Sequence, residues 1–158
     1  GALALASTQA ANIPQAATAA GDFTSLLKAT ETAGLSGYVG GPGPFTMFAP
    51  NDAAFAKVPK AKLDMLMQPE NSTKLKVTLG NHLVTGLLPM EAIDKGLAQA
   101  DAVSVMAINN MPLIIKRENG VLTVNGAHVV KPPMKVDNGI VYVIDGVLMP
   151  AMPLQPTY

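Results

Sequence analysis

Three features of the sequence predict an α+β domain. As far as Leu79 the apolar residues recur at helical spacing. From Asn81 onward they come in short runs separated by Asn-rich turn dipeptides. No segment repeats, so one domain accounts for the 158 residues. Helices first and strands afterwards argue for helices packed on a compact antiparallel sheet or sandwich.

The elements follow in order. Residues 1–21 are rich in Ala, Thr and Gln, lack periodicity and are expected to be mobile. Within them Gly1–Ala10, GALALASTQA, has the look of the end of a signal-peptide core with small residues near a cleavage point. Residues 1–20 are thus expected to be a signal or expression remnant or a disordered tail, and 151–158 a C-terminal tail. Asp22 is positioned to cap a helix running to about Ala33, with Phe23, Leu26, Leu27 and Thr30 along one side and Gly34 as its stop. Gly40–Pro44, GGPGP, is a breaker cluster. It lacks the Gly-Lys-Ser/Thr ending of a phosphate loop and reads as a rigid turn feeding a strand. That strand is Phe45–Ala49, ended by Pro50. Asn51 or Asp52 then caps a short helix, Ala53–Lys57, a contribution of about 1 kcal/mol. Lys60–Met67 and Asn71–Leu79 are two further helices: Leu63, Leu66 and Met67 share a face, and Leu75 and Leu79 lie one turn apart. The strand-like runs HLV, VSVM, PLIIK, VLTVN, AHVVK and IVYVID come next, with a helical insertion at Glu91–Lys95. Asn109-Asn110, Asn119-Gly120, Asn125-Gly126 and Asn138-Gly139 are turn dipeptides able to adopt positive φ.

Composition narrows the function. The hydrophobic fraction is 49%, ample for a core, while charged residues at 14% fall well below the roughly 25% of an average soluble domain. Eleven basic and eleven acidic residues cancel, so nothing points to nucleic acid or an anionic membrane. The lysines between Lys57 and Lys76 read as solvated helix faces. The absence of cysteine excludes disulfides, thiolate metal sites and cysteine nucleophiles. No stretch reaches the ~18 apolar residues needed to span a bilayer. His82 and His128 are the only histidines, with no HExxH or paired-carboxylate spacing nearby, so neither a zinc site nor a catalytic histidine is expected. Asp145 has no Ser, Lys or second acid in its own motif and reads as the cap of a backbone turn. Asn125 reads as a turn former whose amide satisfies nearby backbone.

Four blocks then stand in a telling order. They are Phe45–Phe55 (FTMFAPNDAAF), Asn81–Val84 (NHLV), Val124–Val130 (VNGAHVV) and Val141–Pro150 (VYVIDGVLMP). Together they resemble the fasciclin domain over residues 21–150. The resemblance implies a fasciclin-like fold, with helices of the N-terminal half packed on a compact antiparallel sheet or sandwich wedge. It also implies a non-enzymatic, secreted or periplasmic adhesion module whose partner is a cell-surface or matrix protein or glycan. It makes Asp52, His82, Asn125 and Asp145 structural residues, with His82 near the Pro-Asn-Asp turn and Asp52 as its expected hydrogen-bond partner. The chain departs from the family where integrin binding is concerned. Asn81 stands where those members resemble one another in Tyr, and Lys131-Pro132-Pro133-Met134-Lys135 lacks their carboxylate. Asn71-Ser72-Thr73 matches a glycosylation sequon, relevant only in a eukaryotic secretory pathway.

Nine methionines remain to be explained. Methionine suits irregular cores, and it equally suits adaptable apolar binding surfaces. Core filling is one reading. The other is a groove for a long apolar ligand, involving Met106, Met111, Met134 and Val136 with the last two near its mouth; some fasciclin proteins, notably algal ones, bind carotenoids. The chain is therefore expected to be an adhesion module acting through loops around Gly40–Pro44 and Lys131–Val136, or alternatively a carrier of a hydrophobic small molecule such as a carotenoid. No other cofactor is expected.

Overall fold

The computed structural model describes residues 12–148. Helices α1 (Ile13–Ala20), α2 (Thr24–Thr32) and α3 (Ser36–Val39) lead into β1 (Phe45–Pro50). Helices α4 (Asp52–Ala56), α5 (Lys60–Leu66) and α6 (Ser72–Gly80) follow, with a 3-10 turn at Pro69–Asn71. After β2 (Leu83–Thr85) and α7 (Met90–Leu97) come β3 (Val103–Met106), β4 (Pro112–Glu118), β5 (Val121–Val124), β6 (Ala127–His128), β7 (Met134–Val136) and β8 (Gly139–Ile144). They form two four-stranded sheets, ordered β2-β1-β8-β7 and β3-β4-β5-β6. The fold is α+β, as expected, but the first sheet is not wholly antiparallel: β1 and β8 pair in parallel, from Phe45 opposite Gly139 to Pro50 opposite Ile144.

That pairing explains why both strands are apolar almost throughout. Every residue of each is buried, as expected of strands covered on both faces. Alternate side chains enter different cores. Phe45, Met47, Ala49, Val141 and Val143 join Phe23, Leu26, Leu75 and Leu79 beneath the helices. Phe48, Ile140, Tyr142 and Ile144 meet Leu113, Ile115 and Val124 of the second sheet. Thr46 is the polar exception on the second face; its hydroxyl donates to the Gly86 carbonyl and accepts from the Leu88 N–H, each at 2.8 Å. Gly139 is required by close approach, since a Cβ there would collide with the Phe45 carbonyl oxygen. At its far end β8 also reaches the second sheet, through a bridge between Val129 and Ile144.

Four local expectations change. The Ala-rich stretch expected to be mobile is helical from Ile13 to Ala20. Asn12 and Gln15 form a reciprocal capping box at 3.0 Å, Pro14 occupies the first turn and Gly21 ends the helix at φ 76. Ile13 and Ala17 are buried in the helical core. Residues 1–11, which include Gly1–Ala10, and residues 149–158 lie outside the described residues. Second, Asp22 does not cap α2. Asp52 does so from a distant turn, accepting from the Ser25 N–H and the Thr24 hydroxyl at 2.9 Å, while its own N–H donates to the Asp22 carbonyl. Asn51 therefore caps α4 alone, through the Ala54 N–H. Third, Met134–Val136 is a strand, paired with β8, and not a loop. Fourth, Asn110, Asn119 and Asn125 adopt positive φ as the turn dipeptides require, but Asn138 does not: it is buried, and its side chain ties distant segments together.

Removing the Asp52 side chain leaves the first turn of α2 without its acceptor. Asp52→Ala is expected to lower the unfolding free energy by about 1–2 kcal/mol, and Asp52→Asn by distinctly less. Guanidinium midpoints of the three proteins measure both.

Candidate functional site

The histidine expected to bond Asp52 has other partners. His82 is fully buried. Its Nε2 accepts from the Leu148 N–H at 2.8 Å, so its proton sits on Nδ1 and is donated to the Thr78 carbonyl, also at 2.8 Å. Asn81 grips the same residue by donating to the Leu148 carbonyl at 3.0 Å, and the His82 carbonyl accepts from the Phe48 N–H. Asp52 is committed to α2, which is why it is not the partner. Burial holds the imidazole down at a pKa of about 4, from an ordinary 6.5. The Asn81-His82 pair is thus a clamp joining α6, β1 and the segment after β8.

Asp145 and Asn125 serve backbone too, though across strands and not within their own turns. Asp145 accepts from the His128 N–H at 2.8 Å and lies 3.3 Å from the His128 Nδ1, which holds β6 against the end of β8. Lys57 donates to the Asp145 carbonyl at 2.7 Å. Burial works to raise the Asp145 carboxyl, and the His128 hydrogen bonds with the Lys57 charge outweigh it, so the pKa is lowered. Asn125 accepts from the Ile114 N–H at 2.7 Å, closing the β5–β6 turn onto β4. Lys57, Asn125, His128 and Asp145 line one hollow of about 340 Å³, in the company of Gly126, Ala127 and Gly146–Leu148. No hydroxyl or thiol is among them. Asp52, His82 and Asp145 do not meet in one cleft: two hold helix and strand ends, and His82 has no access to solvent.

The apolar candidates are likewise dispersed. Met106 projects from β3, an edge strand of the second sheet, and is 60% exposed. Met111 sits in the β3–β4 connection. Met134 and Val136 belong to β7 of the other sheet and pack on the helical core.

A different apolar surface forms around Tyr38, which sequence reading passed over. Tyr38 is 46% exposed and lines two hollows. One, of about 450 Å³, is walled by Gly37, Gly41–Phe45, Thr85 and Gly86. The other, of about 280 Å³, is floored by Leu35, Val77, Gly80 and Ile108, with Lys76 and Asn109 at its sides. The Tyr38 ring lies 5.2 Å from that of Phe45 in a tilted pair. Asn138 fixes the intervening loop. Its amide donates to the Val39 carbonyl at 2.7 Å and the Gly41 carbonyl at 2.8 Å, its side-chain oxygen accepts from the Ile13 N–H, and its own carbonyl accepts from Phe45. The breaker cluster Gly40–Pro44 is therefore a firmly anchored rim. An amphipathic pattern cannot reveal such a surface, because α3 is a single turn and its neighbours come from remote segments.

Comparison with known proteins agrees with this architecture. The Fasciclin domain family matches residues 21–150, and the chain belongs to that family. Two Synechocystis proteins, Protein sll1483 and Uncharacterized protein sll1735, are 33% and 34% identical over 130 and 141 residues. Those alignments span 82% and 87% of this chain, and 68% and 97% of the relatives. Transforming growth factor-beta-induced protein ig-h3 of Oryctolagus cuniculus is 32% identical over 138 residues, 87% of this chain but only 20% of that protein. Among solved structures, a FAS1 domain pair from the insect cell adhesion molecule fasciclin I superposes with a TM-score of 0.77 at 19% identity. It covers 87% of this chain and 50% of that one, a likeness of fold.

The buried His82 makes stability pH-dependent in a defined direction. The unfolded chain takes up a proton near pH 6.5, the folded chain only near pH 4. The His82 contribution is therefore constant above the upper value and is lost as pH falls through that window, by up to about 3 kcal/mol. Urea midpoints measured from about pH 7 to about pH 4 should show this slope in the wild type, and His82→Gln should lack it.

Proposed function

We propose that this chain is a non-enzymatic adhesion or interaction module of the extracytoplasmic space, and that its contact face is the surface around Tyr38. One observation carries the reading. An exposed aromatic side chain joins two apolar hollows on a rim anchored by Asn138. Interface hot spots favour this type of residue, rigid and amphipathic within an apolar surround. Membership of the fasciclin family, with a structural neighbour from an insect cell adhesion molecule, supports the same reading. The loop Gly40–Pro44 contributes the rim directly. Asn138, in the turn from β7 into β8, holds that rim in place. No helix among the described residues is long and apolar enough to cross a membrane.

Catalysis draws little support. Both His82 nitrogens are engaged, the Asp52 carboxylate is committed to α2, and the hollow beside His128 and Asp145 offers no nucleophilic hydroxyl or thiol. The carrier reading is weaker than adhesion for a different reason. Met106 and Met111 lie apart from Met134 and Val136, and the apolar hollows leave Tyr38 almost half exposed where a carrier would enclose its cargo.

Beads coated with the wild-type chain are expected to be retained on cells or matrix of the source organism. Tyr38→Ala, which gives up the ring pair with Phe45 and should lower the melting temperature by only a few degrees while keeping the fold, is expected to reduce retention about five- to thirtyfold, the effect of losing one aromatic anchor. Equal retention of the two proteins would overturn the assignment of this face.

A further inference from the structure

Resting on the reading of the Tyr38 face as an interaction surface, the geometry points to the chemistry of what it takes. We infer that the hollow between α3 and α6 receives an apolar side chain of a protein partner that carries a carboxylate on the adjoining residue. The floor is aliphatic: Leu35, Val77 and Ile108. Gly80 at the end of α6 lets Ile108 approach closely and complete this floor, since a Cβ there would stand 3.3 Å from the Ile108 side chain.

The polar groups at the edge set the sign of the partner. Asn109 is spent on the protein itself, donating to the Val77 carbonyl at 2.9 Å and accepting from the Met111 N–H at 3.0 Å. The Lys76 ammonium and the Tyr38 hydroxyl are the remaining tips. Among the described residues neither has an ion-pair or hydrogen-bond partner. Both are donors, and no acidic residue lines the hollow. Two free donors beside an apolar floor complement a carboxylate placed next to an apolar group. The hollow is open, with Tyr38 at its edge 46% exposed, which suits a side chain presented from a partner's surface better than a small molecule that needs enclosure.

The test uses the nitrogen-15-labelled chain titrated with two blocked tetrapeptides, Ac-Gly-Leu-Asp-Gly-NH2 and its Asn counterpart, reading the amide shifts of Val77, Gly80 and Ile108. Both peptides should move these resonances. The acidic one is expected to bind about three- to fivefold more tightly at low salt, as an exposed ion pair allows, and that advantage should vanish in Lys76→Gln and at high salt. Equal binding of the two peptides to the wild type overturns the inference, and so does an advantage that persists in Lys76→Gln. The bead assay separates the two levels. If the acidic preference is absent while Tyr38→Ala still reduces retention, only the proposed partner chemistry falls. If Tyr38→Ala beads are retained like wild type, the face itself is wrong and this inference falls with it.

Discussion

Backbone pairing between β1 and β8 sets the position of everything else, because both strands are buried on both faces and each divides its side chains between two cores. Phe45, Met47 and Ala49 look toward the helices; Phe48 looks toward the second sheet, stacked at 5.4 Å on Tyr142. A one-residue slip would exchange the two sets and place Thr46 among the helices. Gly139 permits the approach that begins this ladder. The hydrogen bond between Phe45 and the Asn138 carbonyl then fixes where the loop before β1 must run.

The polar side chains most visible in the sequence are consumed by this architecture. His82 and Asn81 hold Leu148, Asp52 holds α2, Asp145 holds β6, and Asn125 closes a turn onto β4. Among the described residues no buried side-chain nitrogen or oxygen lacks a partner. Each of these groups would cost about 1–3 kcal/mol if left buried and unpaired. Their chemistry is used in joining segments. What remains available lies at the surface, around Tyr38 and Lys76.

That surface depends on the same framework. The rim Gly40–Pro44 is held from below by Asn138, and Val77 of the aliphatic floor belongs to α6, whose end is fixed by the Asn81-His82 clamp. A partner meeting this face would find side chains already in place, which reduces the ordering cost of association.

Much of the fold was legible because it is written in local signals. The periodicity of Leu63, Leu66, Leu75 and Leu79, the capping residue Asn51, and the Asn turns at 110, 119 and 125 act over a few residues, where hydrogen bonding and side-chain spacing decide. The helix at Ile13–Ala20 carried its own signal, Asn12 with Gln15, but an alanine-rich surround masks an amphipathic face. The sequence by itself determined most of the elements and the family blocks. Tertiary structure alone decided the partners of Asp52, His82, Asn125 and Asp145, the parallel pairing of β1 with β8, the role of Asn138 and the surface at Tyr38. The physical reason is range. A cap or turn closes within one stretch of chain, whereas a hydrogen bond from Asp52 to Ser25, or a hollow shared by Leu35, Val77 and Ile108, exists only once two cores have formed and brought distant segments together.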